Sequence, residues 1–168
     1  MRTPARAGVL VGAVVMALLG ATGVQAHTSG YHWNRYGSTV TIPAYTTGTY
    51  ADATFQAAND WSNNTILYIP QYPVHTDLHL FDANYGNTGW LALTEYTSLS
   101  GTHILHGHGR LNTYYRFTYA DAVAIRCNQI GRLVGLVNDG YGCMGGGLSY
   151  TVQHNWDDIH NMYRYTHH

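Results

Sequence analysis

The stretch Ala122–Met144, AVAIRCNQIGRLVGLVNDGYGCM, decides how this chain reads. It opens as an amphipathic helix, breaks at glycine and ends in a Cys-Met turn, and it holds both cysteines of the chain. On a helix, positions 128 and 132 lie one turn apart and share a face. That spacing lets two side chains address one point in space. Gly135 then lets the helix end and the chain turn sharply.

Outward from this stretch, the N-terminal 26 residues read as a secretory leader. Arg2 and Arg6 precede an apolar run from Gly8 to Gly23, and Val24-Gln25-Ala26 is a small-x-small cleavage site. Cleavage after Ala26 leaves residues 27–168, a length that suits one domain with a sizeable core. The expected location is therefore outside the cell, with no membrane segment once the leader is removed. Cys127 and Cys143 in an exported chain are expected to form a structural disulfide rather than a reactive pair.

Composition excludes one class of partner. There is no lysine, and beyond the leader six arginines face nine acidic residues, a formal charge of −3 with histidine neutral. A nucleic-acid partner would need a basic face. All eleven histidines lie beyond the leader, so the net charge changes sign near pH 6. Fifteen tyrosines and four tryptophans suit a β-rich exported protein.

Periodicity gives an α+β order. Residues 38–45 alternate as a strand that Pro43 confines to an edge or ends. Thr49 is a plausible N-cap for a helix over 50–61, with Tyr50, Ala53, Ala57 and Trp61 at helical spacing. Short strands are expected at 66–70, 77–81 and 90–95, with a turn at 98–101. One or two more strands follow within 102–115, then a helix over 119–134. The glycine-rich run 140–147 is irregular. A last helix over 157–165 turns Ile159, Met162 and Tyr163 inward, and Asp157 and Asp158 act as charges at its N-terminus. The predicted architecture is a twisted mixed sheet packed by two long helices, with a C-terminal helix.

Taken together, the cysteine before the frame, the glycines, the Cys143-Met144 turn and the helix opened by Gln153-His154-Asn155-Trp156-Asp157 resemble the matrixin-type metzincin metalloproteases, of the small secreted bacterial kind. The resemblance is clearest over residues 102–165, where Leu111-Asn112-Thr113-Tyr114-Tyr115 suits the strand before the helix. Tyr31-His32-Trp33 and the helix ending at Trp61 suit the family's opening elements. The resemblance implies a Met-turn at Met144, a structural glycine at Gly135, and a substrate peptide paired along the edge strand before the helix.

The family carries three zinc-ligating histidines and a glutamate base at this frame. Here Asn128, Arg132 and Asn138 occupy the ligand positions and Gln129 occupies that of the base. Arginine stays protonated and offers no lone pair. Asparagine amides are weak hard-oxygen ligands beside imidazole. Glutamine cannot take a proton from water. The expectation is a non-catalytic relative with no cofactor, binding an extracellular peptide or protein by strand addition. Arg132 is expected to pair with a carboxylate such as Asp139 where the metal would sit.

Two other readings remain. An active zinc endopeptidase would recruit His103, His106, His108 or His154 to the cleft. A histidine-rich metal-binding or pH-sensing protein would use His106 and His108, which share a strand face with Arg110; His75 and His79 are four apart, a spacing that would matter on a helix, but the local pattern is a strand. No Ser-His-Asp signature and no phosphate-binding loop is found.

Overall fold

The computed structural model describes residues 28–145 and 155–164. The leader, its cleavage site, His27, residues 146–154 with Gln153 and His154, and the tail from Tyr165 through His167 and His168 lie outside the described residues.

Ile42-Pro43 splits the first predicted strand into β1 (Val40–Thr41) and β2 (Ala44–Thr47). Proline donates no hydrogen bond, but the Pro43 carbonyl accepts from the Leu78 amide at 3.0 Å, so the chain crosses from one sheet into another there. β2 is an interior strand rather than an edge.

Helix α1 (Ala51–Asn64) follows, burying Ala53, Ala57, Ala58 and Trp61 along one stripe. Thr49 is not its cap. Tyr50 occupies that position without a side-chain cap, and the Thr49 amide donates to Asp82 Oδ2 at 2.7 Å. The reason is Gly48, whose φ of +112° aims the turn at Asp82 and leaves no room for a Cβ.

β3 (Leu67–Tyr68) pairs with β1 in a two-stranded parallel sheet. β4 (Gln71–Tyr72), β2, β5 (Leu78–Ala83), β7 (His103–Asn112) and β6 (Ala92–Ser100) form a five-stranded sheet in that order. All its neighbours are parallel except β6 and β7. The turn predicted at 98–101 is strand as far as Ser100, and Gly101 makes the reversal with φ +61°.

This topology changes which strand is the edge. The strand immediately before the second helix, β7, is held on both sides, and β6 beside it is one of the sheet's two edge strands, β4 being the other. Asn112 donates to the Leu91 carbonyl, which fixes the ladder phase. With the register Leu93 to Arg110 and Glu95 to His108, the backbone groups of Ala92, Thr94 and Tyr96 face away from β7.

Helix α2 (Tyr119–Leu133) starts on a capping box in which the Thr118 hydroxyl accepts from the Asp121 amide and the Asp121 carboxylate accepts from the Thr118 amide. It lies across the inner face of the sheet with α1 beside it. Gly107 and Gly109 of β7 allow the close approach: an added Cβ would stand 2.9 Å from Leu133 Cδ2 at one and 2.6 Å from Leu80 Cδ2 at the other. Ile42, Leu78, Leu80, Trp61, Ile130 and Leu133 are fully buried between these layers. A 3-10 turn (Gly142–Met144) and helix α3 (Trp156–Arg164) complete the described chain, with Ile159 and Tyr163 fully buried and Met162 packed against the core.

Candidate functional site

The C-terminal end of α2 is tied down carbonyl by carbonyl. Tyr96 Oη donates to the Arg132 carbonyl at 2.6 Å, Trp33 Nε1 to that of Leu133 at 2.8 Å, and Tyr163 Oη to that of Val134 at 3.0 Å. The Leu133 and Val134 carbonyls lie in the last turn, where intrahelical donors run out, while the Arg132 carbonyl also accepts from the Gly135 amide at 3.1 Å. Burial raises both tyrosine hydroxyls above their ordinary titration range, so they remain donors.

Gly135 then takes φ +106°, and an added Cβ would strike the Tyr31 carbonyl. The Ser29 amide and hydroxyl both donate to the Gly135 carbonyl, at 2.7 and 3.0 Å. The chain thus leaves the helix along a fixed path, and Asn138 arrives beside Asn128.

The three positions of the frame do converge. Asn128 Oδ1 accepts from Arg132 Nε at 3.1 Å, and Asn128 Nδ2 donates to Asn138 Oδ1 at 3.2 Å and to the Cys143 carbonyl at 2.7 Å. A guanidinium can only donate and a carbonyl can only accept, which sets the orientation of the Asn128 amide. The amide oxygens of both asparagines are therefore occupied by each other and by arginine. The 127–143 disulfide forms as expected, with Cα atoms 5.7 Å apart. It closes the loop that carries Asn138, a constraint worth about 3 kcal/mol in chain-entropy terms. Met144 is fully buried beneath Gly131, where an added Cβ would collide with its sulfur.

Gln129 turns away from this cluster. Its Nε2 donates to the Leu93 and Arg110 carbonyls at 3.0 and 2.9 Å, and its Oε1 accepts from Arg126 at 2.8 Å. Arg126 is wholly buried, donates also to the Gly109 carbonyl, and faces Asp82 Oδ1 at 3.6 Å. Burial lowers the Arg126 guanidinium to about 10, opposed by Asp82 and Tyr85, so it stays charged at neutral pH. Nothing in the local sequence marks this pair, since Asp82 sits in a turn-rich run and meets Arg126 only in the folded sheet. The one available signal is the three-residue spacing of Arg126 and Gln129 on a helix.

Asp139 does not pair with Arg132. Its two oxygens accept from the Tyr141 amide at 2.8 Å and Asn155 Nδ2 at 3.0 Å. No ion pair involves Arg132 among the described residues. Arg132 instead lines a hollow of about 200 Å³ with Ser29, Thr94, Glu95, Tyr96, Leu136 and Val137.

Among the described residues, no histidine bonds to Asn128, Arg132 or Asn138. His106 and His108 do share a face of β7, but Gly107 and Gly109 are the residues that turn toward α2, so the sheet separates both imidazoles from the frame. On that outer face the register sets Tyr45, His79, His108 and Glu95 in one row across four strands. His79 stacks on Tyr45 at 5.0 Å and meets the His75 ring at 4.4 Å and the His108 ring at 5.5 Å. His103 packs against His32 at 4.7 Å. Among the described residues no three histidine, cysteine or acidic side chains group at metal-binding distances. Asp157 and Asp158 occupy the first turn of α3, as expected.

No protein-family model matches the sequence, and no curated protein matches it. Among solved structures, part of the chain is similar to myroilysin, with a TM-score of 0.47 and 9% identity over 62% of this chain and 52% of that one. It is also similar to high choriolytic enzyme 1, a hatching-enzyme zinc-protease of the Medaka fish Oryzias latipes. There the TM-score is 0.44 and the identity 14%, over 66% of this chain and 51% of that one. The chain spans about half the length of both neighbours.

Proposed function

We propose that this is an exported, matrixin-like member of the metzincin class that binds an extended peptide or protein segment along β6 without hydrolysing it. The observation that carries this reading is the closed cluster Asn128–Arg132–Asn138. The residues of the frame do not fit zinc. Both amide oxygens are engaged, Arg132 brings a fixed positive charge, and none of the frame positions carries an imidazole. Gln129 is buried in the sheet with all its amide bonds made, so the position of the base offers nothing to a water molecule.

The binding surface survives these replacements. Ala92, Thr94 and Tyr96 present outward N–H and C=O groups at intervals of two residues, the pattern that an added strand pairs with. Export is supported by the leader-like N-terminus and by the disulfide. No helix among the described residues is long and apolar enough to cross a membrane.

The test combines two measurements on tag-free protein. Casein hydrolysis is expected to be absent with or without added zinc. Hydrogen exchange of residues 92–96 is expected to slow when a binding peptide is present. Proteolysis that a chelator abolishes would overturn the reading.

A further inference from the structure

The position of Arg132 has a consequence for what the cleft accepts. Its Nε is held by Asn128, and Asn128 is held in turn by Asn138 and by the Cys143 carbonyl inside a disulfide-closed loop. The terminal nitrogens of the guanidinium make no hydrogen bond and no ion pair among the described residues. The side chain is thus anchored at one edge, and its end-on pair of N–H donors is left for a ligand. That fork matches a carboxylate, and an anchored fork loses less freedom on binding than a mobile one.

The acids that could neutralise it are already engaged. Asp139 is satisfied by Tyr141 and Asn155. Glu95 alternates to the outer face, where its Oε1 accepts from Arg110 Nη2 and lies 3.5 Å from His108 Nδ1. Arg132 thus lines a small hollow with Glu95, Tyr96, Leu136 and Val137, and it makes no ion pair among the described residues because the Glu95 carboxylate is turned to Arg110 and His108.

We propose that the cleft is a carboxylate receptor, in which Arg132 takes a carboxylate carried by an extended peptide paired on the β6 edge. This rests on the strand-addition reading above. At about 200 Å³ the hollow holds a carboxylate and little more, so the rest of the ligand lies outside it. Thr94 and Tyr96 line the hollow and also have outward backbone groups, which sets the paired peptide residue beside Arg132. The carboxylate belongs either to the C-terminus of the peptide, which then ends there, or to an aspartate or glutamate side chain, which lets the peptide continue.

The experiment starts from peptides selected for binding to the intact protein from a random library displayed with free C-termini. Each is remade in three forms: free acid, C-terminal amide, and amide with every acidic side chain replaced by its own amide. The expected result is a loss of affinity of about tenfold or more when the carboxylate that reaches Arg132 is amidated. The form in which the loss occurs identifies the terminal or the side-chain source. In Arg132→Gln the three forms bind alike, and Arg132→Lys falls between, because lysine offers a point charge instead of a fork. Thr94→Pro removes an outward donor on a free edge and weakens all three forms together. Peptides that bind the intact protein equally in all three forms, with Thr94→Pro still weakening them, would overturn the carboxylate proposal alone. If no library peptide binds the intact protein, both it and the strand-addition reading fall.

Discussion

The two faces of β7 carry opposite chemistry. Toward α2 it presents Gly107, Gly109 and Leu111, which let Gln129 and Leu133 press against the sheet. Away from α2 it presents His106, His108 and Arg110 beside His79 and Phe81. The histidines of this part of the sheet, His79, His106 and His108, are on the outer face, while the frame of Asn128, Arg132 and Asn138 lies across the inner face and holds amides and a guanidinium. A metal site needs residue type and geometry at one place. In this chain the two are on opposite sides of a sheet, which is why an abundance of histidine says little about the cleft.

The comparison makes the inner face the one that cannot be altered cheaply. Asp82→Ala would leave the buried Arg126 charge without its counter-ion, and a cost of about 3–5 kcal/mol is expected from urea unfolding. His106→Ala on the exposed outer side should stay within about 0.5 kcal/mol. Equal effects at the two positions would break the distinction between the faces.

Gly131→Ala tests the floor of the frame. The added methyl meets Met144 and Trp61, so an overpacking cost of about 1–3 kcal/mol is expected. A double-mutant cycle with Met144→Ala should show that the two changes are coupled, since the shorter side chain makes room for the methyl. Additive effects would mean that Met144 does not support α2 at that point.

The outer face should instead reveal itself through pH. Burial lowers His79 from 6.5 to about 4, with the neighbouring His75, His108 and Arg126 adding to the shift. The unfolded chain takes up this proton below about pH 6.5, whereas the folded chain resists it until about pH 4. Stability is therefore complete above pH 6.5 and declines as pH falls through that window. Melting temperature measured from pH 7 to pH 4 should drop by a few degrees, and His79→Gln should flatten part of that slope. The ring is substantially solvated, so the effect is the smallest of the three.

Much of this was legible in the residues themselves. The apolar stripe of α1, the alternation of Leu78 and Leu80, and the helix from Tyr119 all follow from periodicity, because each buries one face against the core. β6 was cut short because no face of it is deeply buried and Ser98-Leu99-Ser100 has turn-like composition. The helix starts one residue later than Thr49, at a Tyr50 cap position, after a turn at Gly48 packed on Asp82, a tertiary contact that the local sequence does not show. In the cleft, helical spacing put Asn128 and Arg132 on one face, whereas that Asn138 joins them was implied only by the family resemblance. The partners of Arg132 and Gln129 did not follow from spacing. Asp139 lies near Arg132 in sequence yet answers to Tyr141 and Asn155, and Gln129 is claimed by carbonyls of two strands that only the assembled sheet brings to it.

The frame at the end of α2 is held by hydrogen bonds among Asn128, Arg132 and Asn138, and on the reading proposed above these leave no place for a metal. Elemental analysis of tag-free protein, equilibrated with zinc and then passed into metal-free buffer, tests it most directly. The comparison is between intact protein, Asn128→Ala with Asn138→Ala, and His79→Ala with His108→Ala. The expected result is that no zinc is retained in a way that depends on Asn128 and Asn138. One zinc per chain that survives the histidine changes and disappears with the asparagine changes would contradict it.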